Sequence, residues 1–273
     1  MSDDVVAHYR GASDLADRIR RRLAEAGKDL ERITTRDLAT IDEFHIRGRH
    51  ATLELAERMG LTPSSRVLDI GSGLGGPART LAEVYGCEVV GIDLTPAFCD
   101  AANRISEWLG LADRVRCMPG DAADPPFDPA SFDAAMTIHV GMNVPDKHAF
   151  YTGAKRSLRP GAIFAVYDVL QGEGGPVEFP VPWARDASIS HLATPGEMRQ
   201  HLTQAGFRIE DEIDSTEVSH GWFEAMAARM AVSGPPPVGF HLFLGAEFAD
   251  MARNQVKNLA ERRIRTVTYI CRA

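Results

Sequence analysis

Cysteine is scarce in this 273-residue chain, and Cys87, Cys99, Cys117 and Cys271 stand too far apart to make a C-x-x-C pair. That spacing argues against a thiol–metal clip and against a disulfide-stapled secreted scaffold. Positive charge is also short: 30 lysines and arginines face 38 acids, for a net charge of -8. Phosphate-rich partners want a basic face, so nucleic acid is a poor fit. The densest basic run, Arg18-Ile19-Arg20-Arg21-Arg22, is flanked by Asp17 and Glu25 and reads as a solvated helix face. No apolar run is long enough to span a bilayer. The opening MSDDVVAHYR lacks the basic and apolar parts of a secretory signal. The expectation is a cytoplasmic protein with neither a nucleic-acid nor a membrane partner. Familiar hydrolytic signatures are missing too: there is no G-x-S-x-G elbow and no Walker lysine loop. His45 and His50 lie five apart without an H-E-x-x-H frame, and His139 and His148 share no ligand spacing, so no metal site is expected.

What is present points to an α/β protein. The middle of the chain alternates short β-branched runs with helical patterns, the signature of a parallel sheet clad on both faces. Strands are expected over 66–70, 87–93, 115–119, 132–138 and 162–170, with two more near 207–213 and 265–271. Pro77 and Pro96 sit where proline opens a helix. A third helix runs from about 146 to 158 and is stopped by Pro160-Gly161, and Thr194-Pro195-Gly196-Glu197 spells a capping box. Ahead of the sheet, Val5, Tyr9, Ala12, Ala16, Ile19 and Leu23 recur every three or four residues, as in an amphipathic helix weakened at Gly11. A second helix is expected over 49–59. Residues 1–60 therefore read as a helical cover on a domain of residues 61–273. Two insertions, at about 171–193 and 215–262, read as lids. The first carries Trp183; the second holds Gly234-Pro235-Pro236-Pro237 and a helical pattern over 246–262.

The segment VLDIGSGLGG, residues 67–76, fits two glycine templates. Gly71, Gly73 and Gly76 make the G-x-G-x-x-G of a dinucleotide site, whereas Asp69 with Gly71, Gly73 and Gly75 suits a cofactor bearing an amino acid. Asp93, at the end of the second strand, can accept ribose hydroxyls in either case. Asp69 discriminates: beside a pyrophosphate it would be repelled, and beside an ammonium it is favourable. Asp121 adds to this, since at the carboxyl edge of the third strand it can accept from an adenine amino group while the amide of Ala122 donates to the ring. A turn-capping role for Asp121 is the plainer alternative.

VLDIGSGLGG, VVGIDLTPAF, MPGDAADPPFDPASFD, FDAAMTIHVGMNVPDK and RSLRPGAIFAVYDV, in this order, resemble the successive motifs of class I S-adenosylmethionine-dependent methyltransferases. DEFHIRGRHAT resembles a cofactor-covering segment of the small-molecule branch. VPWARDASISHLATPGEMRQHLTQAGF resembles the lid and following helix of sarcosine/dimethylglycine-type and natural-product enzymes. The resemblance implies a Rossmann-like seven-stranded sheet of order 3-2-1-4-5-7-6 with one antiparallel strand. It implies that Asp69, Gly71, Ser72, Gly73 and Gly75 hold the methionine end, and Asp93 and Leu94 the ribose and one adenine face. Asp121 and Ala122 would take the adenine edge, His139 the floor near the sulfonium, and His45 and Gly48 an approach from the cover. Two departures stand out: Tyr151-Thr152-Gly153 replaces an acidic stretch, and RPGA lacks a second glycine.

Methyl transfer from a sulfonium is an in-line displacement, so positioning supplies up to about 7–11 kcal/mol. S-adenosylhomocysteine would be the product. Where the acceptor must lose a proton, His139 is the expected base. Asn143 is expected to orient the acceptor, Trp183 to close over it, and Tyr9 to reach the site unless its apolar stripe makes it core. A small-molecule amine is the leading acceptor, with Arg185 or Arg47 for its carboxylate. An O- or C-methylated natural product, phenol or quinone would instead use Met136, Met142, Phe223 and Met226. A homo-oligomer is compatible with the resemblance. An NAD-dependent dehydrogenase would have no need of Asp69 or Asp121, and the intact loop argues against a non-catalytic scaffold.

Overall fold

The computed structural model describes residues 14–234 and 236–273, so Val5, Tyr9, Ala12 and Pro235 lie outside the described residues. Among the described residues three helices precede the sheet: α1 (Leu15–Glu25), α2 (Thr35–Asp42) and α3 (Arg49–Glu57). The alternating core follows as β1 (Arg66–Ile70), α4 (Gly76–Tyr85), β2 (Glu88–Asp93), α5 (Pro96–Trp108), β3 (Val115–Pro119) and β4 (Phe132–Ile138). Next come α6 (Lys147–Ser157), β5 (Leu158–Gln171), α7 (Pro195–Gln204) and β6 (Arg208–Asp214). The chain ends through α8 (Thr216–Ser233), α9 (His241–Leu244), α10 (Phe248–Ala260) and β7 (Ile264–Arg272).

The seven strands pair in the order β3-β2-β1-β4-β5-β7-β6, as the resemblance implied. β7 runs antiparallel to both β5 and β6, while β3, β2, β1, β4 and β5 pair in parallel. Strand parity divides the core. Leu68 and Ile70 pack with Phe150, Phe164 and Leu202 on one face; Val67 packs with Leu55, Leu81 and Val89 on the other. Asp69 has the parity of Val67, which turns its carboxyl towards the α3–α4 side. A third cluster joins Ile19 and Leu23 of α1, Phe98 and Ile105 of α5 and Phe243 of α9. β6 closes the edge with Arg208, Glu210, Glu212 and Asp214 turned outward, charges that discourage a further strand.

The expected helix starts and strand ends agree with the structure to within a few residues. The capping box is present, with the Thr194 amide donating to Glu197 Oε2 at 2.8 Å. β5 begins four residues earlier than expected because Leu158 pairs with Phe132 ahead of a register shift. Helices α2 and α8 have no counterpart in the sequence reading. α2 spans only eight residues and its buried face, Thr35, Leu38, Ile41 and Asp42, is half polar, while α8 spreads its polar and apolar residues around the helix and buries only Thr216, Ser219 and Phe223. The departure at Tyr151 is a packing choice: the ring is fully buried and its hydroxyl lies 3.1 Å from Met198 Sδ.

Candidate active site

A cleft opens at the carboxyl ends of the strands, where the strand order reverses between β1 and β4, the usual position for a ligand in an open α/β sheet. The turn leaving β1 is held rigidly. Gly71 has φ +79°, and a Cβ there would lie 2.2 Å from Val140 Cγ2. The amides of Gly71 and Ser72 both donate to the Ile92 carbonyl, at 2.8 and 2.9 Å. Asp93 Oδ2 accepts from the Gly73 amide and Oδ1 from the Thr95 amide, each at 2.8 Å. The acid expected to meet a ribose thus also braces the glycine loop.

Asp69 is almost fully buried, and its Oδ2 has no hydrogen-bond partner among the described residues. Burial, reinforced by the nearby charges of Glu43 and Asp93, pushes its pKa up to about 8. An isolated buried carboxylate is costly, and a cationic ligand relieves that cost. Ser72 Oγ and His139 Nε2 are likewise buried without partners. His139 adopts φ +53°, a left-handed conformation costing about 1–3 kcal/mol for a residue with a side chain. Its ring lies 4.8 Å from that of Tyr167 and 6.0 Å from that of His45. Burial holds His139 well below its ordinary pKa, and holds His45 down to about 4, so both rings are neutral near pH 7.

Asp69, Gly71, Ser72, Gly73, Asp93, Leu94, Ala122, His45, His139 and Asn143 all line this cleft. Of the remaining expected residues, Tyr9 lies outside the described residues, and Gly48, Gly75, Asp121 and Trp183 do not line it. Gly75 is the N-cap of α4, and Gly48 precedes α3. Asp121 lies beside the cleft with its Oδ1 accepting from the Ala123 amide at 2.9 Å, the turn-capping geometry. Trp183 must be corrected: it is buried in the packing of its own loop, with Nε1 donating to Ser190 Oγ at 3.0 Å. Asn143 spends its amide hydrogens on the carbonyls of Trp183 and Ile189, at 2.9 and 2.8 Å, so it fastens that loop to the site. Arg185 pairs with Glu247 on the surface. Met136 belongs to the sheet core, whereas Met142, Phe223 and Met226 join Val181 and Trp183 in an apolar cluster behind the site.

Residues 68–166 match the family model of the methyltransferase domain. A sterol 24-C-methyltransferase of Eremothecium gossypii is 35% identical over 186 residues, covering 60% of this chain and 46% of that one. The chain spans less than half the length of the curated sterol methyltransferases it matches. In fold it is similar to a geranyl diphosphate C-methyltransferase from Streptomyces coelicolor A3(2), with TM-score 0.67 and 18% identity over 82% of this chain and 78% of the other. It is also similar to a candidate sarcosine dimethylglycine methyltransferase from Galdieria sulphuraria, with TM-score 0.68 and 17% identity over 90% and 98%. The chain shares the fold of these two proteins.

The cleft has side chains that fit S-adenosylmethionine. Asp69, with its orphaned oxygen, suits the methionine ammonium; Asp93 retains lone pairs for ribose hydroxyls; and Gly120 and Ala122 bring backbone to the opposite wall. When bound, S-adenosylmethionine supplies an electrophilic methyl on a sulfonium. Sequence reasoning missed Asp42, Phe44, Leu74, Phe98 and Val140, which also line the cleft. Asp42 forms a buried ion pair with Arg79 at 2.7 Å, and a Cβ on Gly76 would come within 2.2 Å of the Asp42 carbonyl. The last glycine of the loop therefore serves the cover segment, not the cofactor. An acid two places before the aromatic of the DEFHIRGRHAT segment, together with a loop glycine too many for the methionine template, was the available signal.

Proposed function

We propose that the chain is a methyltransferase transferring the methyl group of S-adenosylmethionine to a small organic acceptor in the cytoplasm. The observation that carries the reading is the buried Asp69 Oδ2, without a hydrogen-bond partner among the described residues, beside an intact glycine loop. Residues 1–60 act as the cover, and about 171–193 and 215–262 as lids. The acceptor is largely apolar and is methylated on carbon or oxygen. It enters from the side where Met142, Val181, Trp183, Phe223 and Met226 pack together against the turn that follows His139. The 35% identity to a sterol C-methyltransferase supports this reading. His139, neutral and with Nε2 unused, takes the proton the acceptor releases.

A second reading, an amine bearing a carboxylate as in sarcosine or dimethylglycine, is supported by Arg47. That guanidinium is buried, ion-paired to Glu54 and next to the Tyr167 phenol. Incubation with methyl-labelled S-adenosylmethionine and two acceptor pools, one of isoprenoid, sterol and phenolic compounds and one of glycine derivatives, separates the readings. Label is expected in the first pool. Label confined to the second would make the amine reading correct, and a protein that binds no S-adenosylmethionine would overturn both.

A further inference from the structure

His45 meets the cleft through a chain of buried groups whose proton positions are forced. Glu43 and Thr52 are each at most 1% exposed. Glu43 Oε1 accepts from the Thr80 hydroxyl at 2.6 Å, and Oε2 from the Thr52 hydroxyl at 2.7 Å. A threonine hydroxyl has one hydrogen, so with it committed to Glu43 the Thr52 oxygen can only accept from a neighbour. That neighbour is His45 Nε2, at 3.1 Å; the same nitrogen lies 3.0 Å from the Gly48 carbonyl, which can only accept. Nε2 therefore carries the proton, and Nδ1 is left with a bare lone pair on a ring that lines the cleft.

We propose that Glu43 and Thr52 are positioning residues that lock His45 in its Nε2–H tautomer, so that Nδ1 accepts a hydrogen bond from the ammonium of the bound cofactor. This rests on the reading of the cleft as an S-adenosylmethionine site. An ammonium brings three donors and Asp69 supplies one acceptor direction. A neutral imidazole meets a second donor without adding a further anion to a neighbourhood that already holds Asp69, Asp93 and Glu43. Thr80 ties the same Glu43 carboxylate to α4, the helix that starts at the glycine loop, so cover and loop share one anchor.

The test uses the full chain labelled with 15N-histidine, and calorimetry with S-adenosylhomocysteine, which keeps the ammonium. In the wild type, long-range 1H–15N spectra should show His45 Nδ1 unprotonated. Thr52→Val, nearly the same shape, should lower affinity about tenfold and mix the His45 tautomers, and Thr52→Ser should restore both. A wild-type His45 protonated on Nδ1, or a folded Thr52→Val protein with unchanged affinity and tautomer, overturns the proposal alone; the first result needs no variant to fold. A wild type that fails to bind S-adenosylhomocysteine removes the underlying site reading instead.

Discussion

At the β1–β2 end of the cleft, a side chain holds backbone: Asp93 grips the amides of Gly73 and Thr95, while the amides of Gly71 and Ser72 close on Ile92. At the end facing the 181–190 loop, side-chain donors hold carbonyls instead. Asn143 reaches the carbonyls of Trp183 and Ile189, and Lys147 Nζ donates to the carbonyls of Gly141, Val144 and His191 at 2.6–2.7 Å. Beneath it Asp168 is buried, with its pKa pushed up to about 7 by burial despite the Lys147 charge. The first end depends on glycine geometry and tolerates little change. The second depends on a few polar clasps over apolar packing.

That contrast can be broken most severely at Gly71. Gly71→Ala places a Cβ against Val140 in a left-handed conformation and should cost about 3 kcal/mol of stability, read by urea unfolding, and abolish measurable cofactor binding. Asp93→Ala should leave the fold intact and weaken S-adenosylhomocysteine by about ten- to a hundredfold, because a charge-assisted bond is worth roughly 1.5–3 kcal/mol. Unchanged affinity would refute the ribose assignment. Asn143→Leu removes two buried donors at about 1 kcal/mol each. It should raise acceptor KM and speed proteolysis within 177–192 while leaving S-adenosylhomocysteine affinity unchanged.

Asp69 gives the comparison a pH dependence. Its pKa is raised from 3.8 to about 8 in the folded chain, so its contribution to stability is complete below pH 3.8 and is lost as pH rises towards about 8. A bound cation offsets that loss. The thermal shift produced by S-adenosylmethionine should therefore be larger near pH ~8.5 than near pH ~6, and Asp69→Asn should flatten the difference. Arg185→Ala is the smallest perturbation: its exposed pair with Glu247 is worth less than about 1 kcal/mol, and acceptor KM should not move. A large rise in KM would return Arg185 to the acceptor site.

The cofactor end was legible in the sequence because its constraints are local. Glycines at 71 and 73, an acid at 69 and an acid at 93 are imposed by a strand–turn–helix whose ligand meets backbone. The strand order came from resemblance; the strand positions came from apolar runs that the buried sheet requires. The end facing the 181–190 loop was not legible. Trp183 and Asn143 are the residue types that bind substrates, yet Trp183 donates to the Ser190 hydroxyl within its own loop, and Asn143 donates to carbonyls of that loop 40 and 46 residues away in sequence. Asp42 and Glu43 escaped notice for a related reason. Their partners Arg79, Thr52 and Thr80 lie on other helices, and nothing in the spacing of a short helix such as α2 announces a buried acid.

Calorimetric titration of the purified chain with S-adenosylmethionine and, separately, with NAD bears most directly on a cleft shaped by buried carboxylates for a cation. One-to-one binding of S-adenosylmethionine with no heat from NAD is the predicted result. Binding of NAD at this cleft, or silence towards S-adenosylmethionine, would contradict it.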